Sequence, residues 1–551
     1  MRNPPVFALL GIGIVTGGLV PASPNPDPKA IDAVFAKYDH TITPGCALGV
    51  FRGGQMVYSR GYGMADLNQG VPIRPNTAFY IASTSKQFAA FSVALAAEQG
   101  RLSLDDPIRK FVPEMPGYAD SITIRHLVHH TSGIRDYLGL WGISGRSFAD
   151  EIPEEAALDL ITRQKSLDFA PGARWSYSNS GYFLLSVIVK RATGLSLREF
   201  SERNIFGPLG MTSTHWHDDN QQVVPRRAEG YQPKADGQFE IVRTSFALVG
   251  DGGLYTTVED LLKWDANFFG NRLGTRGSAL LDQVLTRGRL TNGDTTNYAF
   301  GLMLGTRRGL AVVEHGGAFI GYRAQLARYP TEKLSVAVLC NDYTAAPEQL
   351  ANQVADLYLA DRLAPIATAT AAATVAIPAE RLDRYLGRYE VGPGQIVEVK
   401  RGDGGLVVAA FGRTFPMVGV ADSVFTAEGL PGRIEFRTLA SGPGLLATAM
   451  GTGGPAPKLP PPPTLSAAEL AAFVGRYTSA ELDTWATVEV REGALSIRSR
   501  YDVWRSLAPL AKDVFVAAGN RLDFARGRRG EVSGFRLSAA RLANVEFVKV
   551  R

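Results

Sequence analysis

Ser83 and Lys86, three residues apart, form the first group in this sequence that could do chemistry. The apolar run over residues 88–97 that follows predicts a buried helix. Residues three apart on a helix share a face, so the lysine amine can reach the serine hydroxyl. Serine becomes a good nucleophile when a neighbouring base takes its proton, and a desolvated lysine with a lowered pKa is such a base. The pair predicts a serine nucleophile at a helix N-terminus.

Two further segments carry groups that such a site requires. Tyr177 and Asn179 precede a predicted helix; a tyrosine hydroxyl can relay the serine proton, and an asparagine amide can hold the lysine and bind a substrate carbonyl. His315, Gly316 and Gly317 stand between two predicted strands, and paired glycines let a ligand approach a strand backbone closely. Taken alone, Tyr177 could equally well be a residue that packs in the core, and His315 could be a turn residue.

The elements around these segments predict an α+β catalytic domain over residues 23–364, with an antiparallel sheet flanked by helices. Helices are predicted over residues 30–38, 123–130, 154–164, 181–193, 258–269 and 348–359. Strands are predicted over residues 46–51, 56–62, 310–314, 322–329 and 333–339. These elements must bring the three candidate segments, which are far apart in sequence, into one site.

Composition changes after the catalytic domain. An Ala/Thr-rich linker is predicted over residues 365–377 and a proline-rich linker over residues 454–465. The segments that follow them, 378–453 and 466–551, have short alternating strands and glycine turns, and share an opening, LDRYLGRY at 382–389 and LAAFVGRY at 470–477. They predict a duplicated small antiparallel β-barrel, with interiors filled by side chains. We expect the barrels to frame the mouth of the active site.

Overall composition excludes several classes of protein. With 45% hydrophobic and 20% charged residues in 551, the chain is of ordinary globular composition, and its net charge of +5 is small. The basic cluster at 526–529 fits a hairpin turn better than a nucleic-acid site, so no nucleic-acid partner is predicted. Cys46 and Cys340 lie in apolar, strand-like runs and are predicted to be two buried thiols rather than a disulfide.

The first 22 residues predict a signal peptide. Arg2 precedes an apolar run over residues 6–20, and a small-residue cleavage site ends at Ala22. The run has 15 residues, fewer than the roughly 20 that a membrane-spanning helix requires. The sequence therefore predicts export to the periplasm or the exterior, with an uncleaved N-terminal anchor as the alternative.

The sequence disfavours three other kinds of site: an α/β-hydrolase site, a second serine triad and a metal site. An α/β-hydrolase needs Gly-x-Ser-x-Gly after a strand, and the sequence has no such pentapeptide. A triad built on Ser132 with a histidine at 129 or 130 and an aspartate at 136 is disfavoured, because HHTSG is typical of a helix C-terminus and turn. His215 and His217 would share a strand face, but no third metal ligand is apparent, so no metal or other cofactor is predicted.

In their order and spacing, Ser83-x-x-Lys86, Tyr177-x-Asn179 and the glycine pair after His315 resemble the motifs of the serine β-lactamase and penicillin-binding-protein superfamily, nearest to its class C-like branch. The segments LVHHTSGI at 127–134, FGPLGM at 206–211 and GGLYTTVED at 252–260 are similar to that branch's structural signatures. The succession of a catalytic domain and two barrels resembles the D-aminopeptidase subgroup, in peptidase family S12.

The resemblance implies a role for each residue. Ser83 would attack a carbonyl to form an acyl-enzyme, with Lys86 and Tyr177 as the base. Tyr177 would then protonate the leaving group and activate the hydrolytic water, and Asn179 would support the lysine and the substrate. The backbone N–H groups of Ser83 and Ala318 would form the oxyanion hole.

One departure from the family pattern bears on the substrate. His315 stands where many relatives have lysine, and a histidine is mostly neutral near pH 7. Gly316 also lacks the hydroxyl that usually contacts a substrate carboxylate. The resemblance thus implies hydrolysis of small D-amino-acid amides or peptides. A carboxylesterase, a β-lactamase-like or D,D-carboxypeptidase-like hydrolase, and a non-catalytic β-lactam or cell-wall binder stay open.

Overall fold

The structure is a computed structural model that describes residues 25–365, 377–410, 412–427, 430–439, 442–447, 455–500 and 503–550. The predicted signal peptide, residues 1–22, and nearly all of the predicted linker 365–377 lie outside these ranges. Within them, no helix has both the length and the apolar character needed to cross a membrane.

The α-helices of the described residues are α1 Pro28–Val34, α2 Lys86–Glu98, α3 Ile124–Val128, α4 Tyr137–Ile143, α5 Glu154–Thr162, α6 Asn179–Thr193, α7 Leu197–Ser201, α8 Gly207–Leu209, α9 Val258–Asn267, α10 Ser278–Val284, α11 Pro347–Tyr358, α12 Ala379–Leu382 and α13 Ala467–Phe473. All six predicted helices are present, with ends shifted by a few residues. The helix predicted over residues 30–38 is divided into α1 and a short 3-10 helix, Ala36–Tyr38.

The strands of the catalytic region are β1 Cys46–Arg52, β2 Gln55–Tyr62, β3 Met64–Asp66, β4 Val71–Pro72, β5 Phe79–Tyr80, β6 His215–Trp216, β7 Tyr231–Pro233, β8 Phe239–Ile241, β9 Leu254–Thr256, β10 Met303–Arg307, β11 Leu310–Phe319, β12 Tyr322–Tyr329 and β13 Leu334–Cys340. Six of them form the central antiparallel sheet in the order β10-β11-β12-β13-β1-β2. The predicted α+β domain is therefore confirmed.

Both faces of this sheet are buried, because side chains alternate between the faces of a strand. Ala47 and Phe51 of β1 pack into the large core that also contains Leu261 and Trp264 of α9. Leu48 and its alternate neighbours pack on the other face, in a second core with α1 and α11. The helices on the two faces hold rigid the strand β11 that carries the third candidate segment.

The two cysteines form a disulfide, so the prediction of two free thiols was wrong. Cys46 and Cys340 lie directly opposite each other in the pairing of β1 with β13, and their sulfurs are bonded. The sequence does not reveal this pairing, because 294 residues separate the two positions. Only the neighbourhood of β1 and β13 in the sheet brings the thiols together.

The strands of the C-terminal region are β14 Gly387–Gly392, β15 Gln395–Gly402, β16 Gly405–Ala410, β17 Arg413–Ala421, β18 Val424–Ala427, β19 Leu430–Leu439, β20 Gly442–Ala447, β21 Pro455–Leu459, β22 Gly475–Ser479, β23 Thr484–Arg491, β24 Ala494–Ser499, β25 Arg505–Ser506, β26 Ala508–Ala511, β27 Val514–Ala517, β28 Asn520–Arg526, β29 Val532–Ala539 and β30 Leu542–Lys549. Strands β14 to β21 close into a barrel, and β22 to β30 form a nearly closed nine-stranded sheet in the order β25-β24-β23-β22-β30-β29-β28-β27-β26. The two predicted barrels are thus present. The basic cluster at 526–529 lies in the hairpin turn between β28 and β29.

The proline-rich segment predicted as a linker over residues 454–465 contributes a strand instead. Its first part, β21, completes the first barrel between β20 and β14. The prolines at 455 and 457 pair only with β20, whereas Lys458 and Leu459 pair with β14. A proline is tolerated in a strand where its backbone nitrogen is not needed as a hydrogen-bond donor. The proline-rich composition suggested a linker, and the strand was therefore not predicted.

The repeat seen in the sequence has a structural counterpart in the barrels. The Tyr389 hydroxyl of the first barrel donates to the carbonyl of Tyr385, four residues earlier, at 2.8 Å. The Tyr477 hydroxyl of the second barrel donates to the carbonyl of Phe473 at 2.6 Å. Each tyrosine is buried at the start of its barrel. The shared GRY motif therefore ties the helical lead-in of each barrel to its first strand.

The sequence predicts barrels whose interiors are filled by side chains. The second barrel differs from this prediction, because part of its interior is a cavity. A cavity of about 440 Å³ lies between α4 and the open side of the barrel. It is lined mainly by apolar residues, including Leu138 and Gly139 from α4 and Phe535 and Leu542 from the barrel. The barrel is open at β25 and β26, and α4 of the catalytic domain covers part of its interior.

A buried ion-pair network joins the catalytic domain to the second barrel. The Arg135 side chain is 1% exposed, and its Nη1 donates to Glu481 Oε2 at 2.8 Å and to Gln164 Oε1 at 2.9 Å. Its Nε lies 3.3 Å from Asp168 Oδ1, and its Nη2 donates to the carbonyl of Asn544. Since Glu481 and Asn544 belong to the barrel region, this guanidinium bonds to both domains.

Replacing Arg135 by methionine is expected to lower the free energy of unfolding by about 3–5 kcal/mol, because it leaves the Glu481 carboxylate buried without its partner. Arg125→Met is the matched control: its ion pair with Asp105 is exposed, so the cost should stay below about 1 kcal/mol. Urea denaturation of both variants measures the difference. Equal losses for the two variants would contradict a structural role for the buried network.

Candidate active site

Ser83 lies on a 3-10 turn, Ala82–Ser85, that leads directly into α2, so it stands at a helix N-terminus as predicted. Ala82 has a φ of 45°, a conformation that non-glycine residues rarely adopt. Such strain is retained where the surrounding structure imposes it, and it clusters at functional sites. Ser83 lines a cavity of about 560 Å³, whose lining also includes Tyr177, Asn179 and His315. Three candidate segments that are spread over more than 200 residues of sequence therefore meet at one cavity.

Lys86 is fully buried and contacts three oxygen atoms. Its Nζ lies 3.1 Å from Ser83 Oγ, 2.8 Å from Asn179 Oδ1 and 2.5 Å from the backbone oxygen of Asp251. The last two are carbonyl oxygens, which only accept hydrogen bonds, whereas the serine hydroxyl also donates. A neutral amine has two N–H groups and one lone pair. A charged Lys86 fits this arrangement by donating to all three oxygens. A neutral Lys86 fits it by donating to the two carbonyls while its lone pair faces the serine proton.

The electrostatics of the site favour the neutral form of Lys86. Burial lowers the pKa of Lys86, and the positive charge of Arg541 lowers it further, while the carboxylates of Asp251 and Asp136 raise it. Burial also raises the pKa of Tyr177 above its usual value. The lysine is thereby biased toward the free base and the tyrosine toward the protonated phenol. That distribution suits a lysine base and a tyrosine that passes on a proton.

Asn179 is the first residue of α6, and Asp136 fixes its orientation. The backbone N–H and the side-chain Nδ2 of Asn179 both donate to Asp136 Oδ2 at 2.8 Å. The other carboxylate oxygen of Asp136 accepts from the backbone of Leu138 and Gly139 and so caps α4. Because the Nδ2 group is held by a carboxylate, the Oδ1 atom must face Lys86. Asp136 therefore positions the amide that positions the lysine.

The Tyr177 ring packs directly against the lysine and a buried histidine. Lys86 Nζ is 4.8 Å from the centroid of this ring, and the centroid of the His130 ring is 4.3 Å from it, with the two ring planes inclined by 34°. The Tyr177 hydroxyl forms no hydrogen bond with any described residue, although it is buried. Interaction with Ser83 lowers its pKa, a smaller effect than burial. Catalytic hydrogen bonds are often loose before substrate binds, and a substrate atom would satisfy this hydroxyl.

His315 lies inside β11, not between two strands as predicted. Its Nδ1 is 2.6 Å from the backbone oxygen of Gly316, so Nδ1 carries the proton, and Nε2 accepts from the hydroxyl of Tyr298 at 3.0 Å. Burial lowers the pKa of His315 to about 4. The histidine is therefore neutral at pH 7, and it cannot replace the positive charge of a lysine.

The strand segment after His315 faces the cavity as an edge. The pairing of β10 with β11 ends at Glu314, so residues 315–319 pair with β12 alone. A side chain at Gly317 would meet the backbone oxygen of Ile81 at 2.1 Å, so only glycine lets β11 approach the turn that carries Ser83. Gly316 and Ala318 line the same cavity. This close approach is what an oxyanion hole shared by Ser83 and Ala318 requires.

Sequence reasoning missed Asp251 and Arg541, which line this cavity, and the roles of Tyr137 and Asp136, which contact its residues from behind. Asp251, which holds Lys86 through its backbone, directly precedes the segment 252–260, but nothing in that segment indicates this contact; burial raises the pKa of its carboxyl. Tyr137 donates to that carboxyl at 3.1 Å. Arg541 enters from the second barrel, in a turn with no chemical signature. Asp136 was noted only as part of a disfavoured triad.

The alternative sites do not assemble. The Ser132 hydroxyl accepts from the backbone of Ile134, and His130 packs against Tyr177 instead of pairing with that serine. The rings of His215 and His217 lie 5.9 Å apart. In the part of the chain that the structure describes, no three His, Cys, Asp or Glu side chains are grouped as a metal site would need.

Comparison with known proteins gives the same picture. Residues 31–360 match the family model described as Beta-lactamase. Penicillin-binding protein 4* of Bacillus subtilis is 30% identical over 305 residues, which are 52% of this chain and 66% of that protein. A D-aminopeptidase of Cereibacter sphaeroides is 31% identical over 303 residues, 55% of this chain and 58% of that protein. The chain thus spans less than two thirds of the length of these relatives.

A solved structure extends the likeness to the barrels at the level of fold. The octameric penicillin-binding protein homologue from Pyrococcus abyssi superposes with a TM-score of 0.55 and 21% identity, covering 86% of this chain and 99% of that one. At this identity the superposition shows a shared fold. The superposed part, 86% of this chain, is larger than the catalytic domain, so the shared fold includes part of the C-terminal region.

Proposed function

Because this chain belongs to the beta-lactamase family, we propose that it is a serine hydrolase that cleaves small D-amino-acid amides or peptides through an acyl-enzyme. The observation that carries the proposal is the placing of Lys86 Nζ between Ser83 Oγ and two carbonyl oxygens. The lysine accepts the serine proton as Ser83 attacks the substrate carbonyl. Tyr177 passes a proton to the leaving nitrogen, and water then releases the acyl group.

The choice of substrate rests on two supports. The relatives named D-aminopeptidase are 31% identical over the catalytic domain. His315, which is neutral, replaces the cation that favours the carboxylate-bearing ring of a β-lactam. Together they favour a small amide or peptide over a β-lactam as the substrate.

Turnover of D-alanine p-nitroanilide by the purified full-length chain tests this proposal. We expect release of p-nitroaniline from the D-enantiomer at least tenfold faster than from L-alanine p-nitroanilide, a bias of the size that one well-placed contact supplies. Hydrolysis of p-nitrophenyl acetate without either anilide would replace the proposal by an esterase. No turnover of any of these substrates would contradict a hydrolase.

A penicillin-binding protein is the second candidate, since the relative from Bacillus subtilis bears that name. Stable labelling of Ser83 by a fluorescent penicillin, without turnover of the anilide, would favour it. A binder that is not an enzyme would keep the pocket and be acylated slowly or not at all. Intact mass after incubation distinguishes these cases.

We also propose that the chain is exported. The N-terminal segment has the pattern of a signal peptide. The disulfide between Cys46 and Cys340 supports the proposal, because such bonds persist in oxidising compartments. Fractionation of cells that express the full-length gene tests it, and retention in the cytoplasm would contradict it.

A further inference from the structure

The second barrel places an arginine inside the candidate active site. Arg541 lies in the hairpin turn between β29 and β30, and it lines the cavity that contains Ser83. Its guanidinium carbon is 4.8 Å from the centroid of the Tyr177 ring. The next residue, Leu542, is 3% exposed and lines the cavity of the barrel instead. The hairpin is therefore fixed by its apolar neighbour while it presents a cation to Tyr177.

The hairpin is also attached to the residue that orients the catalytic amide. The backbone N–H of Asp136 donates to the carbonyl of Arg541 at 3.4 Å. Arg541 Nη1 lies 3.9 Å from Asp136 Oδ2, an atom that already accepts two hydrogen bonds from Asn179. The Arg541 side chain remains 50% exposed. It is held in place by a long ion pair, and its other N–H groups can bind a second anion.

The other cationic or basic groups of the cavity are already engaged. Lys86 is surrounded by its three oxygen partners, and His315 is neutral. Arg323 donates from Nη1 to the carbonyls of Ile320 and Tyr322. Its guanidinium packs on the ring of Tyr343. Arg541 is thus the cation best placed to bind an anionic part of the substrate near Tyr177.

The position of Arg541 selects which part of the substrate it meets. Tyr177 donates the proton to the leaving nitrogen, so the leaving group lies against the tyrosine. In a dipeptide the leaving group is a single amino acid, whose carboxylate is two bonds from that nitrogen. The Arg541 guanidinium carbon is 4.8 Å from the centroid of the Tyr177 ring, so this carboxylate would lie on the side where Arg541 packs. A guanidinium pairs well with a carboxylate.

We propose that Arg541 binds the free carboxylate of a dipeptide, and that the substrates are short peptides with a D-residue at the amino end rather than amides. This inference rests on the proposed hydrolase function. Hydrolysis consumes one water molecule and releases the D-amino acid and the carboxylate-bearing amino acid. The positive charge that the catalytic domain lacks at His315 is supplied by the second barrel.

Steady-state kinetics with D-alanylglycine and D-alanylglycinamide test the proposal, since the two differ only in the carboxylate. We expect the full-length protein to prefer the dipeptide. In Arg541→Gln the ratio of the two kcat/KM values should fall about 10- to 100-fold, the worth of a charge-assisted hydrogen bond. The loss should lie mainly in KM, because the carboxylate is bound in both the ground state and the transition state. Arg541→Lys should restore part of the preference.

Arg536→Gln is the matched control, because Arg536 is an exposed arginine on β29 of the same hairpin; its ratio should equal that of the unmodified protein. An equal fall for both substrates in Arg541→Gln would overturn the proposal and assign Arg541 the positioning of Tyr177. An unchanged ratio would also overturn it. Failure of the unmodified protein on both peptides and on D-alanine p-nitroanilide would instead overturn the proposed function.

Discussion

Replacing Ser83 by alanine is expected to lower turnover by a factor of about 10⁴ or more, because no other group can form the acyl-enzyme. Ser83 is the hydroxyl within reach of Lys86 Nζ, at 3.1 Å. Intact mass after incubation with a fluorescent penicillin or an activated p-nitrophenyl ester gives a second readout. The unmodified protein should gain the acyl mass, and the variant should gain none.

Ser132→Ala is the control for this experiment, because Ser132 is the nucleophile of the disfavoured triad. Its hydroxyl accepts a hydrogen bond from the backbone of Ile134, so this variant should fold and still be labelled. Labelling of Ser83→Ala together with loss of labelling in Ser132→Ala would move the nucleophile to Ser132. Labelling of both variants would show that the reagent reacts elsewhere on the chain.

Replacing Lys86 by methionine is expected to lower kcat/KM by about 10²–10⁴-fold, the usual contribution of a general base. Methionine has nearly the same length but cannot accept the serine proton, and it leaves two carbonyl oxygens without a donor. The affinity for substrate should change less than kcat, because the lysine acts on Ser83. Lys190→Met, at a surface lysine that pairs with Glu154, is the matched control and should retain full activity.

The same lysine sets the expected pH dependence. Burial lowers the pKa of Lys86. As the pH rises, its neutral form therefore becomes the main form far below pH 10.4, the ordinary pKa of a lysine. Activity should rise with pH as Lys86 loses its proton, and should reach its plateau below pH 10. Arg541→Gln removes a positive charge that lowers this pKa, so the rising limb should move to higher pH. A limb that begins only near pH 10 would match an ordinary lysine and would contradict the lowered pKa of Lys86.

The arrangement of the site has consequences for how the domains depend on one another. Arg135 and Arg541 both take part in the contact between the catalytic domain and the second barrel. Arg135 of the catalytic domain pairs with Glu481, and Arg541 of the barrel packs on Tyr177. Disrupting the Arg135 network should therefore lower activity as well as stability. The second barrel contributes Arg541 to the lining of the cavity, whereas no described residue of the first barrel lines it. That the barrels frame the mouth of the active site stays a prediction, and deletion of residues 466–551 should change substrate preference.

Much of the catalytic domain could be predicted from local patterns. The apolar run after Lys86 indicates a buried helix, and residues 88–96 of α2 are buried. The shared GRY motif indicates two related barrels, because equal local sequences make equal local contacts, such as the hydrogen bonds of Tyr389 and Tyr477. The spacing of Ser83 and Lys86 likewise defines their contact, since residues three apart are neighbours on a helical turn.

The sequence by itself therefore indicated the candidate catalytic residues, the buried helix that begins at Lys86 and the repeated barrels, all of which depend on short-range spacing. Only the tertiary structure decided which distant residues meet. The bond between Cys46 and Cys340, the role of Asp136 in orienting Asn179 and the entry of Arg541 all join positions that no local pattern relates. They depend on the order of the strands and on the docking of the second barrel, which are set by packing of the whole chain.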